Sequence, residues 1–382
     1  MSDPTTNVLL LADRFEVRGS SRQTLFLAEH LPDLGVSPRI VCPDARRIEP
    51  QLRRRLDIVE MSQLQSRFLA RIARILLARD LAADPPDLIH IQQRTMMRLG
   101  RWLAAQLRRP YVLTVHDYLR SGESFRFDRI WGRQIIAVSD SVRAELLQRT
   151  GLPPELVTVI PSGVAVEPAE NIAPVLDEDH TAVVGTAGPL EATKGFRFFL
   201  QAVPKVLKVH SQVEFLIAGA GPEEPSLRRQ ARELGVAQRV TFVPNLYDFD
   251  RSLNAMDLFV LPSLKQGLGT VMLQAMARGK PVIATRAGGV YSVVSEGETG
   301  LLVPPSDSDA LARRINELLS DPLLARRIAT AARNMVQERF PVTAMVEKTA
   351  DVYQSILSAD ESHQKRAAER KKKKKKPVKS RD

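Results

Sequence analysis

Apolar positions along the chain repeat with two periods. Short runs rich in β-branched residues predict strands at Asn7–Leu11, Arg39–Cys42, Asp87–Ile91, Tyr111–Val115, Gln134–Val138 and Val157–Ile160. Between them, stretches of helical period predict helices at Ser21–Leu34, Gln63–Asp80, Arg94–Leu107 and Ser139–Arg149. Most of the strand runs are apolar throughout, as in a parallel sheet covered on both faces. Val166–His180 is Pro-rich, acidic and aperiodic, and reads as a linker. The alternation restarts with strands at Thr181–Ala187, Val213–Ala218, Arg239–Val243, Asp257–Leu261, Pro281–Thr285 and Gly300–Val303. Its helices are Gly195–His210, Pro225–Leu234, Leu268–Arg278, Asp307–Leu319 and Pro322–Arg339. The pattern is that of two doubly wound α/β domains, 1–165 and 181–340, joined by a linker at 166–180. Pro341 opens one more helix as a first-turn proline, to about Leu357 within a 341–360 segment. Residues 361–382 form a charge run with no apolar face and read as disordered.

A length of 382 residues suits two domains, and 44% apolar with 26% charged residues is ordinary for a globular protein. The single cysteine, Cys42, excludes an intramolecular disulfide and a Cys-rich zinc site. Aromatics at 5% argue against a surface built for base stacking. The net charge of +11 is concentrated at one end. From Lys365 to Asp382 there are eight Lys and three Arg against one Glu and one Asp, a surplus of nine, so the rest carries +2. Nucleic acid is therefore an unlikely partner for the domains. The start, Met1–Asn7, is polar without Lys or Arg, and Val8–Ala12 is too short for a signal-peptide core. No run reaches the about 18 apolar residues of a membrane span. The expected location is cytoplasmic.

Two such domains predict a cleft between them, with ligands at the carboxyl ends of the strands. Neither first turn carries G-x-G-x-x-G: Gly219-Ala-Gly221 is followed by Pro-Glu-Glu, and no P-loop is present, which disfavours a dehydrogenase or P-loop ATPase. The strongest chemical signal is Pro262–Pro281. A buried strand ends in a turn with Gly267 and Gly269, and a helix follows at once; its unpaired N–H groups suit a phosphate or diphosphate. Gln266 and Gln274 are eight apart and both lie near the start of that helix. Thr186–Gly195 also follows a strand and precedes a helix, placing Lys194 in the first turn, where a cation opposed to the helix dipole wants an anionic partner. His116, in Thr114–Tyr118, ends a first-domain strand and can face the cleft. Arg18–Ser21 opens the first helix, with an ordinary serine cap and a backbone anion site both open as readings. No clear metal-ligand cluster stands out.

In order and spacing these segments resemble the family-four glycosyltransferases, retaining nucleotide-sugar-dependent enzymes of GT-B fold. The resemblance runs from about Asn7 to Leu357. It includes the Gly19 loop, TVHDY, IIAVSDSVRAEL, VIPSGV, KGF, LIAGAGPEE, VTFVP, PSLKQGLGTVMLQAMARGKPVIAT and GETGLLVPP. It implies two Rossmann-like domains facing a cleft, an acceptor on the first, a UDP- or GDP-linked donor on the second, and a last helix crossing back to the first domain. It implies no divalent metal and no other cofactor. It places Gly19 against the donor diphosphate, His116 by the donor sugar, and Lys194 on the diphosphate. Gln266 takes the place of the first acid of the family's glutamate pair, at the sugar, and Gln274 that of the second, at the ribose. Gly188 and the backbone of Gly267, Leu268, Gly269 and Thr270 complete the donor site.

Three departures accompany the resemblance. Pro189 stands where the family usually has Arg, and both motif glutamates are Gln. A lost cationic donor at a leaving group is worth ~3–4 kcal/mol, or roughly 100–1000-fold in rate. The Glu→Gln change at the ribose swaps a charge-assisted hydrogen bond for a neutral one and costs about 1 kcal/mol, or about fivefold in affinity. Arg18 or Lys265 is expected to supply the missing charge. A catalytically impaired nucleotide-sugar-binding scaffold is the alternative function.

Leu64, Phe68, Ile72, Ile75 and Leu76 share one helical face, and Arg67, Arg71 and Arg74 another. Residues 64–79 read either as a core-facing helix with a basic rim or as a helix lying on an anionic membrane. With the Lys371–Lys376 run, the second reading makes the protein peripheral on the inner face of the cytoplasmic membrane, with a glycan or lipid-linked acceptor.

Overall fold

The computed structural model describes residues 6–374 apart from 14, 16–18, 47, 49, 121, 169, 171, 173, 178, 179 and 245–248, and all side chains of these except 19, 20, 249 and 361–374. Two parallel sheets carry the fold. The first contains β1 (Thr6–Leu11), β2 (Val36–Cys42), β3 (Ile58–Glu60), β4 (Leu88–Ile91), β5 (Tyr111–Val115), β6 (Gly132–Ala137) and β7 (Val157–Val159). Their order is β3-β2-β1-β4-β5-β6-β7. The second contains β8 (Val183–Ala187), β9 (Glu214–Ala218), β10 (Val240–Val243), β11 (Leu258–Leu261), β12 (Val282–Thr285) and β13 (Leu301–Val303), in the order β10-β9-β8-β11-β12-β13. The order reverses at β1/β4 and again at β8/β11, so each sheet has a crevice at the carboxyl ends of its central pair.

Helices α1 (Gly19–His30), α2 (Pro50–Arg55), α3 (Ala70–Ala83), α4 (Met97–Leu107) and α5 (Asp140–Thr150) accompany the first sheet. With the second are α6 (Phe196–Leu207), α7 (Glu224–Glu233), α8 (Phe249–Asn254), α9 (Thr270–Ala277), α10 (Ser308–Ser320) and α11 (Pro322–Arg339). Helix α12 (Val342–Lys374) returns to the first domain, where Val342, Met345, Val346, Ala350, Tyr353 and Ile356 join Leu10, Leu27 and Ile136 in one core. Tyr353 Oη lies 2.6 Å from Nδ1 of the buried His90, whose Nε2 is 2.7 Å from Thr114 Oγ1. Burial holds this imidazole neutral, down to about 3.

Three expectations change. Strand β3 is too short to leave a periodic signal, so it went unpredicted. The helix expected at Gln63–Asp80 is broken: a 3₁₀ turn spans Ser62–Gln65, and α3 starts only at Ala70. Between them, Ser66 Oγ accepts from the backbone N–H groups of Phe68 and Leu69, a local bond that competes with helix. Helix α12 continues to Lys374, into the segment read as disordered; Ala, Glu, Lys and Arg are strong helix formers and need no apolar face to propagate it. Residues 375–382 lie outside the described residues. Among the described residues, no helix is long and apolar enough to cross a membrane.

The domains meet through apolar and polar contacts. Val138 and Val142 share one core with Leu268, Met272 and Val290 across the boundary. Arg22 of α1 donates to Asp250 of α8 at 2.8 Å, and the buried Arg278 reaches the same carboxylate at 2.7 Å. Burial alone would raise the Asp250 carboxyl; its bond to Arg22 and the two guanidinium charges outweigh that and lower it.

Candidate functional site

A cavity of about 680 Å³ lies between the domains, at the carboxyl ends of β8 and β11. His116, Gly188, Lys194, Gln266, Leu268, Gly269 and Thr270 stand in its wall. Pro189 is there too, so the position that lacks the family's arginine faces the cavity.

Lys194 ends a 3₁₀ turn, Ala192–Lys194, one residue before Gly195 and two before α6, instead of sitting in the helix's first turn. Gly195 adopts φ +68, and a side chain on it would collide with the Pro262 carbonyl oxygen. Only glycine lets the two loops come this close. The result is that Lys194 Nζ donates to Gln266 Oε1 at 3.3 Å and lies 3.6 Å from Asp117 Oδ2 of the first domain. Its side chain is only 14% exposed, so the ammonium points into the gap and not into bulk water. Ser263 Oγ donates to the same Gln266 oxygen at 3.1 Å. Because an ammonium only donates, Oε1 must face it, and the Gln266 NH₂ remains without a protein partner among the described residues.

Helix α9 begins at Thr270, after Gly269 at φ +87. Its first N–H groups have no intrahelical acceptor. Gly267 stands behind the wall: its missing side chain admits the His116 carbonyl oxygen, and its own oxygen accepts from Ser139 Oγ at 3.0 Å. Gln274 is not in the wall. It lies one turn below Thr270 on the same helix face, 2% exposed, with neither amide atom hydrogen-bonded. The Thr186 hydroxyl, which lines the cavity, is likewise buried and unpartnered. Gly19 opens α1, and Ser21 from the same turn reaches the cavity.

His116 Nε2 is 3.0 Å from the Gln92 carbonyl oxygen. A carbonyl only accepts, so Nε2 carries the proton and Nδ1 is an acceptor. Burial, which outweighs the bond to Gln92, pushes the ring down to about 4 and keeps it neutral.

Four charged wall residues were not singled out in the sequence: Asp13, Asp117, Arg120 and Glu191. Asp117 sits inside the TVHDY segment and was within reach; Arg120 carries no local signal. Its guanidinium has no ion-pair partner among the described residues. Lys265, expected to replace the missing arginine, turns away from the cavity. Its Nζ lies 4.5 Å from the centre of the Tyr118 ring and 3.8 Å from Glu145 Oε1. Arg18 lies outside the described residues. Among the described residues, no group of three or more His, Cys, Asp or Glu is placed to hold a metal ion.

Comparison with known proteins agrees with this geometry. A family model described as Glycosyltransferase Family 4 matches residues 17–168, and one described as Glycosyl transferases group 1 matches residues 181–321. A phosphatidyl-myo-inositol mannosyltransferase of Mycobacterium leprae is 27% identical over 93% of this chain and 93% of its own. A GDP-mannose-dependent monoacylated alpha-(1-6)-phosphatidylinositol monomannoside mannosyltransferase of Corynebacterium glutamicum is 34% identical over 46% of this chain and 48% of its own. The crystal structure of HepE from Anabaena, in complex with UDP and glucose, superposes with a TM-score of 0.76 at 22% identity, covering 92% of this chain and all of that one. The chain belongs to the family-four glycosyltransferases: it is an enzyme of GT-B fold that uses a nucleotide-sugar donor.

Proposed function

We propose that this chain is a retaining glycosyltransferase that moves a hexose-type sugar from a UDP- or GDP-linked donor to a glycan or lipid-linked acceptor. The observation that carries the reading is the Lys194 ammonium, aimed into the inter-domain cavity beside the free N-terminus of α9. The family resemblance supports retention. Support for the base and sugar comes from the relatives: HepE is solved with UDP and glucose, and the mannosyltransferase of C. glutamicum is named for GDP-mannose.

In this reading the bond between the anomeric carbon and the leaving phosphate oxygen breaks, and the acceptor hydroxyl oxygen takes its place. The hydroxyl proton leaves with the nucleoside diphosphate. Lys194 and the N–H groups of α9 hold the charge that develops on that diphosphate, in the place a divalent metal would otherwise take. Arg120, facing the same cavity, replaces the charge missing at Pro189. The Gln266 NH₂ donates to a sugar hydroxyl, and neutral His116 accepts from another at Nδ1. The buried, unpaired Gln274 amide supports a ribose-hydroxyl role: a ligand reaching it would relieve about 1–3 kcal/mol of unmade hydrogen bonding.

The test is nucleotide release from a panel of UDP- and GDP-sugars, with and without candidate acceptors. Turnover of one donor, abolished by Lys194→Ala, is the expected outcome. Donor binding without turnover under all conditions would replace the enzyme reading with the scaffold one.

A further inference from the structure

A second cavity, of about 470 Å³, adjoins the first and shares Asp13 and Gln65 with it. Four guanidinium groups line it: Arg67, Arg71 and Arg74 from the α3 region, and Arg98 from α4. Among the described residues, the one carboxylate in its lining is Asp13. None of the four arginines has an ion-pair partner among the described residues. Arg74 lies over the Trp102 ring, its guanidinium carbon 5.3 Å from the ring centre, and its Nε is buried with no hydrogen-bond partner. Four cations around one concavity repel one another, and each is a fork that matches phosphate oxygens. A concentration of this kind is held most cheaply around an anion.

The outer face of the same segment is apolar and bare. Phe68 is 89% exposed, and Leu69, Ile72, Ile75 and Leu76 are each about half exposed, while α3 packs inward through Ala73, Leu77 and Leu81.

We infer that this arginine pocket is the acceptor's anionic subsite: it holds a phosphoryl or diphosphoryl group of the acceptor while the acceptor hydroxyl reaches past Asp13 into the donor cavity. The inference rests on the proposed transferase reading and names its substrate class. The bare stripe beside the pocket makes a lipid-linked phosphate the expected source, with a water-soluble sugar phosphate as the other.

The test is titration of the full chain with inorganic pyrophosphate, followed by calorimetry. Wild type is expected to show two sites. Lys194→Ala should keep only the arginine site. Adding Arg71→Gln and Arg98→Gln, both exposed and so harmless to folding, should weaken that remaining site by roughly tenfold or more. In the same Arg71→Gln/Arg98→Gln pair without Lys194→Ala, acceptor-free donor hydrolysis should be unchanged, which separates this inference from the donor reading. Pyrophosphate affinity unaltered by the arginine changes, or no site left in Lys194→Ala, overturns it. Vesicles of phosphatidylcholine with phosphatidylinositol distinguish the sources. Pelleting lost in Phe68→Ser/Ile72→Ser, with pyrophosphate binding intact, assigns the lipid. Pyrophosphate binding without any pelleting assigns the soluble phosphate, and the subsite stands.

Discussion

The two walls of the cleft are built differently. The second-domain wall offers the backbone N–H groups at the start of α9 beside the Lys194 and Gln266 side chains. Gly188 follows β8 directly, Leu268, Gly269 and Thr270 lead into α9, and Lys194 is held by its bond to Gln266, which Ser263 also holds, and by the Gly195–Pro262 contact behind it. The first-domain wall is mostly side chain: Asp13, Asp117 and Arg120 carry its charge, and Asp117 and Arg120 project from the loop after β5. A wall of backbone N–H groups and a held ammonium suits a group that is the same in every donor, the diphosphate. A side-chain wall can be retuned without moving a strand, as an acceptor site must be.

The sharpest way to break this contrast is to remove one cation from each wall. Lys194→Ala should lower kcat/KM by roughly 100–1000-fold, because the charge is lost where the leaving group becomes an anion. Arg120→Ala, at an exposed position, should cost about tenfold, the value of one charge-assisted bond in a solvated place. Steady-state kinetics with the best donor decide it. Equal losses would mean that the first-domain wall grips the diphosphate as firmly as the second.

Gly267→Ala tests the rigid wall through its packing. The new methyl would meet the His116 carbonyl oxygen, so one wall must move. Overpacking of this kind costs about 1–3 kcal/mol. A lower Tm together with weaker nucleotide binding is expected; a lower Tm alone would show that the walls can part without disturbing the donor site.

The same contrast explains what could be read from the sequence. Doubly wound domains, strand ends and the strand–turn–helix at Gly267 were legible because glycine spacing and apolar runs are local signals. Lys194 was found by its motif, though its place before the helix depended on Gly195 meeting Pro262, a contact 67 positions away. Arg120 was invisible because nothing near it in the chain marks it; it matters only where the loop ends up. Lys265 was misjudged for the converse reason. It adjoins Gln266 in sequence, yet an aromatic ring and Glu145 draw it to the other side of the loop. The face of Phe68, Ile72, Ile75 and Leu76 was legible as apolar, but periodicity cannot say whether a core stands opposite; here Ala73 and Leu77 took that place.

The first domain also makes stability depend on pH. His90, buried between Tyr353 and Thr114, is neutral in the folded chain down to about 3, against an ordinary 6.5. Below about pH 6.5 the unfolded chain takes up a proton that the folded one refuses, so stability falls with pH through this window by about 1.4 kcal/mol per unit. His116, down to about 4, adds in the same direction. Urea unfolding between neutral pH and about pH 5 should show this slope, and His90→Asn should roughly halve it, leaving the share of His116. An unchanged slope in His90→Asn would place the proton uptake elsewhere.

The smallest effect concerns an ion pair that joins the walls. Asp117 Oδ2 is 3.6 Å from Lys194 Nζ, and its carboxylate is about half exposed. A diphosphate that binds Lys194 must share the ammonium with this carboxylate, and the two anions repel. At about 4 Å such an interaction lies between ~1 kcal/mol in water and ~4 kcal/mol near a protein surface, and half-exposure favours the lower figure. Asp117→Asn should therefore bind free UDP or GDP about fivefold more tightly. The intact nucleotide sugar gives the finer reading. If Asp117 only competes for Lys194, donor affinity rises in step with nucleotide affinity. If it also accepts from a sugar hydroxyl, nucleotide affinity rises and donor affinity does not. Nucleotide affinity that stays constant or falls would mean that the carboxylate positions the ammonium for the phosphate instead of opposing it, and the two walls would then act as one.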